Sequence, residues 1–247
     1  TIQTTSAKYF EAIRFMPAYP APIPGLYNSE VEIFRGFWMI TWFKKEFAQK
    51  EAEQAKLAGI PAEELLNRFL GATEPGAMGL VVQPYWGPGL GTPEAKGAMI
   101  GFGDVHTKAH IYRAVVEGLM FALFDGREII EKKTGIKMEN AAVSGGASQS
   151  DEICQIAADI FNIPVIRGRT HETSGLGAAI VAAKGLGIYS GFDEAVENMT
   201  AVKTVFEPDP AGAGIYKELY ARVYSRMYHT LKPLYSQIQQ ITGYPEL

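Results

Sequence analysis

Apolar and polar positions divide the first half of the chain into short strand-like runs and longer segments with helical spacing. β-branched and aromatic residues predict a strand over 1–13, and helical spacing predicts one helix over 37–57 and another that starts at Pro61. The segment 79–102 predicts two strands around a loop rich in glycine and proline. A long helix follows that is apolar on nearly every side through Phe124, and such a helix is expected to be buried.

The second half alternates strands with helices. Strands are predicted at Ala141–Val143 and in "IPVIRGR", and the final helix, from about Ala211 to Ile241, carries tyrosines at intervals of four that predict a packing face. Alternation of this kind is typical of a layered α/β domain with a mixed sheet flanked by helices. We expect the Arg113–Phe124 helix to be buried and the Tyr216–Tyr228 helix to be peripheral.

Composition and charge narrow the classes of partner. The 247 residues are 47% hydrophobic and 20% charged, with a net charge of −4 and no long basic run, which argues against nucleic acid or an anionic membrane as partner. No apolar run is long enough to cross a bilayer. The single cysteine, Cys154, excludes an internal disulfide and is expected to be a small core residue. These features suit a reducing compartment, and we expect a cytoplasmic protein.

A glycine turn separates the Ala141–Val143 strand from the helix that follows it. In "NAAVSGGASQSDEICQIAADIFNIPV", residues 144–148 have almost no side chain, and apolar positions then recur at helical spacing. A strand, a glycine turn and a helix N-terminus can seat an anion or a nucleotide, because free N–H groups point at the turn. A tight packing turn without a ligand is the alternative, and this window alone leaves both open.

Other familiar motifs are absent from the sequence or have simpler explanations. No G-x-x-x-x-G-K-[ST] or G-x-G-x-x-G motif occurs. Ser148 does not lie in G-x-S-x-G, and no pattern indicates a His or Asp as its partner in a hydrolase triad. His106 and His110 have the spacing of two metal ligands but lack the adjacent glutamate of zinc proteases. This favours histidines at a helix start whose own hydrogen bonds are satisfied. Arg113 and Glu117, four residues apart in the apolar helix, favour a buried structural ion pair over catalysis.

Three segments carry a resemblance to a known family. "GFGDVHTKAHIYRAVVEGLMFAL", "VSGGASQSDEICQIAADIFNIPV" and "ETSGLGAAIVAAKGLG" resemble, in order and spacing, the C-terminal domain of the FGGY carbohydrate kinases, which include glycerol, xylulose and ribulose kinases. The resemblance is strongest over Gly97–Gly187. It implies the ribonuclease-H-like fold of the sugar kinase, Hsp70 and actin superfamily. It also implies that 1–247 form the C-terminal nucleotide-binding domain of a two-domain kinase whose N-terminal sugar-binding domain is absent from this chain.

The same resemblance implies where ATP binds. Gly145 and Gly146 match the turn that lies against adenosine. A Cβ at Gly146 is expected either to project toward the flat face of the nucleotide or to force the turn out of a conformation that only glycine adopts easily. "QTTSA" matches the Gly-Thr phosphate turn, with Thr4 in place of the family's glycine, so Thr5 would face the β- or γ-phosphate. Ser150 would lie near the base. The implied nucleotide-binding residues are Thr5, Ser6, Gly36, Gly145, Gly146, Ala147 and Ser150.

The resemblance assigns no catalytic residue and no metal ligand to this chain, because the family's catalytic aspartate precedes the Gly-Thr turn. Neither Asp104 nor Asp151 is given a catalytic role, and Asp151 is explained by the helix dipole. ATP and Mg²⁺ are the expected cofactors, a carbohydrate is the expected substrate, and a homodimer is compatible with the resemblance. Two functions stay open: the ATP-binding lobe of a sugar or polyol kinase, inactive alone, or a non-catalytic binding or regulatory module that keeps the fold.

Overall fold

The computed structural model describes residues 1–14, 16–87, 89 and 92–244. Three strands near the N-terminus form an antiparallel sheet with the order β1-β3-β2. Their bounds are Ile2–Ser6 for β1, Tyr19–Pro20 for β2 and Tyr27–Val31 for β3. The predicted strand over 1–13 is too long, because the Ser6 hydroxyl accepts the Lys8 N–H at 3.0 Å and turns the chain out of the ladder.

Three helices follow: α1 (Trp38–Phe47), α2 (Gln49–Ala58) and α3 (Ala62–Gly71). The single helix predicted over 37–57 is therefore wrong. It breaks at Ala48, which has φ −127° and ψ 33°. Ala48 is fully buried, and the break redirects α2 so that it packs against α3. Tertiary packing has here overridden a continuous helical pattern.

The predicted pair of strands and the predicted buried helix are both confirmed. β4 (Val81–Gln83) and β5 (Ala98–Ile100) pair antiparallel, and α4 (Lys108–Thr134) lies against β4. Residues 112–122 of α4 are all buried. The approach is close because Gly118 has no side chain: a Cβ there would lie 2.4 Å from the Val82 carbonyl oxygen.

The remaining strands form a mixed sheet with the order β6-β7-β8, in which β6 and β7 are parallel and β7 and β8 antiparallel. The bounds of its strands and helices are β6 Ala141–Val143, α5 Asp151–Phe161, β7 Val165–Gly168, α6 Thr173–Gly185, α7 Phe192–Met199 and β8 Val202–Phe206. The expected mixed sheet flanked by helices is confirmed, although the described strands are distributed over three small sheets.

The chain closes with α8 (Pro210–Leu219) and α9 (Ser225–Thr242), joined by a π-helical turn. The predicted tyrosine packing face is confirmed: Tyr216 and Tyr224 are buried, and their ring centroids lie 6.0 and 5.0 Å from that of Phe121 on α4. The opposite side of this helical segment is exposed, as expected of a peripheral helix. Within the described residues, no helix combines the length and the apolar character needed to span a membrane.

Candidate functional site

A cavity of about 640 Å³ lies between β1 and β6. Its walls include 1–5 from the first sheet and 140–144 from the third. Among the described strands, β1 pairs with β3 alone and β6 pairs with β7 alone. The second edge of each strand is therefore unpaired, and the cavity separates two strands whose backbone groups can still accept partners.

The predicted glycine turn stands at the end of β6, next to this cavity. Gly145 has φ +79°, and residues Gly146–Gln149 form a 3₁₀ turn. The Ser148 N–H and hydroxyl both donate to the Gly145 carbonyl, at 3.2 and 2.7 Å, and the Gly145 N–H donates to the His171 carbonyl at 3.0 Å. The turn is therefore held by hydrogen bonds on both sides, while Ser144 and Ala147 line the cavity.

The conformational requirement falls on Gly145 and not on Gly146, which corrects the expectation from the sequence. A positive φ strains any residue with a Cβ, and only Gly145 of the two has one. A Cβ built on either glycine would meet no atom within 4 Å. The space above both glycines is therefore open, as a ligand lying against the turn would require.

Ser150 begins α5 and is 6% exposed. Its hydroxyl oxygen accepts the Ile153 N–H at 3.2 Å and donates to a Glu152 carboxylate oxygen at 2.9 Å. This is an N-cap, the arrangement that satisfies one of the unpaired N–H groups at a helix start. Ser150 thus has a complete structural role, and a contact with the base stays a prediction.

The predicted phosphate turn lies at the end of β1. Thr4 and Thr5 line the cavity, and the Thr5 hydroxyl donates to the Asn28 amide oxygen at 2.7 Å. That bond uses the only hydrogen of the hydroxyl, so a phosphate would receive this proton only after the hydroxyl rotates away from Asn28. Ser6 is the last residue of β1, and its hydroxyl accepts the Lys8 N–H.

Gly36 lies in the turn before α1, directly after Arg35. Both have positive φ, +68° for Arg35 and +35° for Gly36, and a Cβ on Gly36 would lie 3.2 Å from the Ile33 carbonyl oxygen. The next residue, Phe37, lines the cavity. The structure therefore brings Thr5 and Ala147 into one cavity wall and sets Gly36, Gly145 and Gly146 beside its lining residues.

The cavity wall in the described part of the chain carries no Asp, Glu, Lys, Arg or His side chain. Asp151 lies instead in the first turn of α5, where it pairs with Arg167 at 2.7 Å. Cys154 lines the cavity as a buried thiol, and its burial raises its pKa to about 11, so it stays protonated and unreactive at neutral pH. The expectation that Cys154 is a core residue is confirmed.

Two other polar groups singled out in the sequence have structural roles. Arg113 and Glu117 form the expected buried ion pair at 3.2 Å, and burial raises the pKa of Glu117 while the Tyr216 hydroxyl and the Gly76 N–H donate to its carboxylate. His110 accepts the Thr107 N–H at 3.1 Å in the capping box that starts α4. A satisfied histidine at a helix start is what the sequence favoured, and His110 confirms it. His106 lies before α4, where its Nδ1 accepts the Gly103 N–H at 2.8 Å, but within the described residues its buried Nε2 has no hydrogen-bond partner.

Solved structures of sugar kinases share this architecture. Xylulose kinase from Rhodospirillum rubrum matches with a TM-score of 0.76 at 28% identity, over 95% of this chain and 46% of that one. A structure titled as Plasmodium falciparum glycerol kinase with ADP matches with a TM-score of 0.63 over 81% of this chain and 38% of that one; at 20% identity it shows the fold alone. The molecule is thus a domain with the ribonuclease-H-like fold of the sugar kinase, Hsp70 and actin superfamily.

Sequence comparison narrows this class to one family. The profile described as "FGGY family of carbohydrate kinases, C-terminal domain" matches residues 14–186. The chain belongs to the FGGY family of carbohydrate kinases. Xylulose kinase of Staphylococcus epidermidis is 32% identical over 225 residues, which are 90% of this chain and 43% of that protein. The chain spans less than half the length of the relatives it matches.

Proposed function

We propose that this chain is the C-terminal, ATP-binding lobe of a two-domain kinase that transfers the γ-phosphate of ATP to a hydroxyl of a sugar or polyol. The observation that carries the proposal is the cavity, which brings the end of β1, with Thr4 and Thr5, to the turn after β6, with Ser144 and Ala147. Adenosine would lie against Gly145–Gly146, and the phosphates would extend toward Thr5. Family membership supports ATP as the phosphoryl donor.

The residues present fit a nucleotide better than they fit a metal ion. The open space above the two glycines suits a flat base, because a Cβ built on either glycine would meet no atom within 4 Å. The described cavity wall contributes hydroxyl and backbone groups but no carboxylate. Mg²⁺ commonly reaches such sites held by phosphate oxygens and water molecules, with few protein ligands. We therefore propose that Mg²⁺ enters with ATP, where it would neutralise phosphate charge.

Substitution of the two glycines tests the proposal. Gly146→Val in the full-length protein should weaken ATP binding by at least about tenfold, roughly 1.4 kcal/mol, because its side chain fills the space reserved for the nucleotide. The melting temperature should hold, because Gly146 does not need a positive φ. Affinity for the sugar should hardly change. Calorimetric titration with ATP measures the first effect, and thermal unfolding controls for a damaged fold.

Gly145→Ala is the matched control. Gly145 has φ +79° and open space around it, so alanine there strains the backbone without filling the site. It should lower the melting temperature and weaken ATP binding less than Gly146→Val does. Unchanged ATP affinity in well-folded Gly146→Val would return the turn to a packing role and remove the main support for the proposal.

A non-catalytic binding or regulatory module is the second candidate. The described residues place no charged side chain in the cavity wall, and phosphoryl transfer needs groups that neutralise phosphate and place a base. Sugar-dependent release of ADP by the full-length protein separates the two functions. A kinase of this kind would act in the cytoplasm, and a homodimer stays a prediction that light scattering can test.

A further inference from the structure

Arg167 lies directly beneath the glycine turn. It is on β7, the central strand of the third sheet, where it is in register with Val143, the last residue of β6. Its side chain is buried, with the residue 9% exposed. In the sequence this position is part of the predicted strand "IPVIRGR". An arginine inside the predicted strand "IPVIRGR" was the signal that could have singled it out.

The Arg167 guanidinium holds the turn and the start of α5 together. One terminal nitrogen, Nη1, donates to the carbonyl oxygens of Ser148 and Gln149 at 3.2 and 3.4 Å and lies 2.7 Å from a carboxylate oxygen of Asp151. The other, Nη2, donates to the Thr204 hydroxyl at 3.3 Å. A planar fork reaches several acceptors at once, which a lysine ammonium on its flexible stem cannot do.

The remaining contacts fix the orientation of that fork. The guanidinium lies over the Phe206 ring of β8, 5.1 Å from its centroid. Within the described residues Nε makes no hydrogen bond. Burying a cation with an unpaired N–H is costly, and the carbonyls of the turn offset this cost together with Asp151, Thr204 and the Phe206 ring. The strands β7 and β8 are thereby coupled to the backbone of 148–149.

We propose that Arg167 is a positioning residue for the nucleotide: by holding the Ser148 and Gln149 carbonyls it sets the position of the Gly145–Gly146 turn against which adenosine lies. The inference rests on the proposed function, because it deepens the assignment of the same site. Arg167 itself touches no reacting atom. Its loss should let the 3₁₀ turn shift relative to β1, which would raise the KM for ATP and leave the KM for the sugar nearly unchanged.

Arg127 offers a matched control at the opposite end of α5. It is also a partly buried arginine that pairs with a carboxylate, Glu131 at 2.7 Å, and it donates to backbone carbonyls, those of Phe161 and Met138. It therefore shares the chemistry of Arg167, but its acceptors do not belong to the glycine turn, although Phe161 and Met138 also line the cavity. Replacing either arginine removes a similar set of charge-assisted hydrogen bonds and should reduce stability to a similar extent.

The experiment compares Arg167→Met, Arg167→Lys and Arg127→Lys in the full-length protein, by calorimetric titration with ADP and by KM for ATP and for the sugar. Both Arg167 variants should weaken ADP binding by at least about fivefold, roughly 1 kcal/mol. Arg127→Lys should stay within about twofold of the unmodified protein for nucleotide, a bound that leaves the fivefold effect resolved. Arg167→Lys keeps the charge and the partner Asp151, so the test remains decisive should Arg167→Met fail to fold.

Three outcomes would overturn the inference: ADP affinity within about twofold of the unmodified protein in folded Arg167→Lys, a loss in Arg127→Lys as large as in Arg167→Lys, or an equal rise of both KM values. Failure of the proposed function is a separate result. In that case the unmodified full-length protein itself binds neither ADP nor ATP.

Discussion

Asp125 is a partly buried carboxyl group on α4 that accepts a short hydrogen bond, 2.5 Å, from the Tyr220 hydroxyl in the π-helical turn. Burial raises its pKa to about 6, and the nearby Glu128 adds to the rise, while the bond from Tyr220 opposes it. The unfolded chain has an ordinary aspartate with a pKa near 3.9. Over the interval between these two values the folded protein keeps a proton that the unfolded chain has lost.

The stability contributed by protonated Asp125 is therefore complete below about pH 4 and is lost as the pH rises through about 6. Asp125→Asn keeps an oxygen acceptor for Tyr220 and removes the ionisation. We expect its free energy of unfolding, relative to the unmodified protein, to rise between pH 4 and pH 7 by up to about 3 kcal/mol, because the folded and unfolded pKa values of Asp125 differ by roughly two. Urea unfolding at several pH values measures the difference. Asp104→Asn, at an exposed carboxyl, is the control, and a pH-independent difference for Asp125→Asn would contradict the assignment.

The sequence identified the residue types of the candidate site but not their geometry. The Gly-Gly turn after a strand was visible as a pattern, whereas the choice of Gly145 as the left-handed residue depends on the hydrogen bonds that Ser148 donates to its carbonyl. Arg167 was missed because its acceptors lie 16 to 19 residues earlier in the chain, on 148–151, and on Thr204 across the neighbouring strand. Local patterns carry no information about such long-range partners.

At the level of elements, helices with a strong periodic pattern were predicted correctly, whereas the breaks between consecutive helices were not. The Arg113–Phe124 helix was predicted as buried and is buried, because an all-round apolar surface leaves no other stable arrangement. The break at Ala48 and the π-helical turn at Tyr220–Tyr224 were not predicted. Both preserve an apparently continuous helical pattern in the sequence. Only the packing of the flanking helices distinguishes these two breaks from a continuous, straight helix.

The contact between α4 and β4 yields a test at this scale. Gly118→Ala would place a Cβ 2.4 Å from the Val82 carbonyl oxygen, which is backbone and cannot rotate away. We expect the variant to lose about 1–3 kcal/mol or more of unfolding free energy, since the helix must move off the strand. Gly214→Ala in α8 is the matched control. Its Cβ would meet nothing within 4 Å, so the better helix propensity of alanine should stabilise the protein by roughly 0.5–1 kcal/mol. Chemical denaturation of both variants should therefore give changes of opposite sign, and a stabilised Gly118→Ala would show that α4 does not cross β4 this closely.

For the whole molecule, fold and family were accessible from sequence because three ordered segments share their spacing with the FGGY kinases, and the family profile confirms them. The cavity was not accessible in this way. It arises because β1 and β6 belong to different small sheets, and strand pairing across more than 100 residues of chain is set by tertiary packing. The division of the strands into three sheets is a property of the assembled core.

The last prediction concerns the activity of the 247-residue chain. Phosphoryl transfer requires a positioned hydroxyl, neutralised phosphates and a base, and the described cavity wall supplies none of the charged groups for the last two. Because the chain spans 43% of the xylulose kinase it resembles, we expect the sugar-binding half of the cleft to be supplied by further sequence. The purified 247-residue chain should therefore show no sugar-dependent ADP release above the uncatalysed background in a coupled assay, since positioning and general-base catalysis together provide most of the rate enhancement. The full-length protein, assayed in parallel with a panel of pentuloses, glycerol and hexoses, is the positive control. Sustained ADP release that depends on both the sugar and the 247-residue chain would mean that the catalytic groups lie within this lobe.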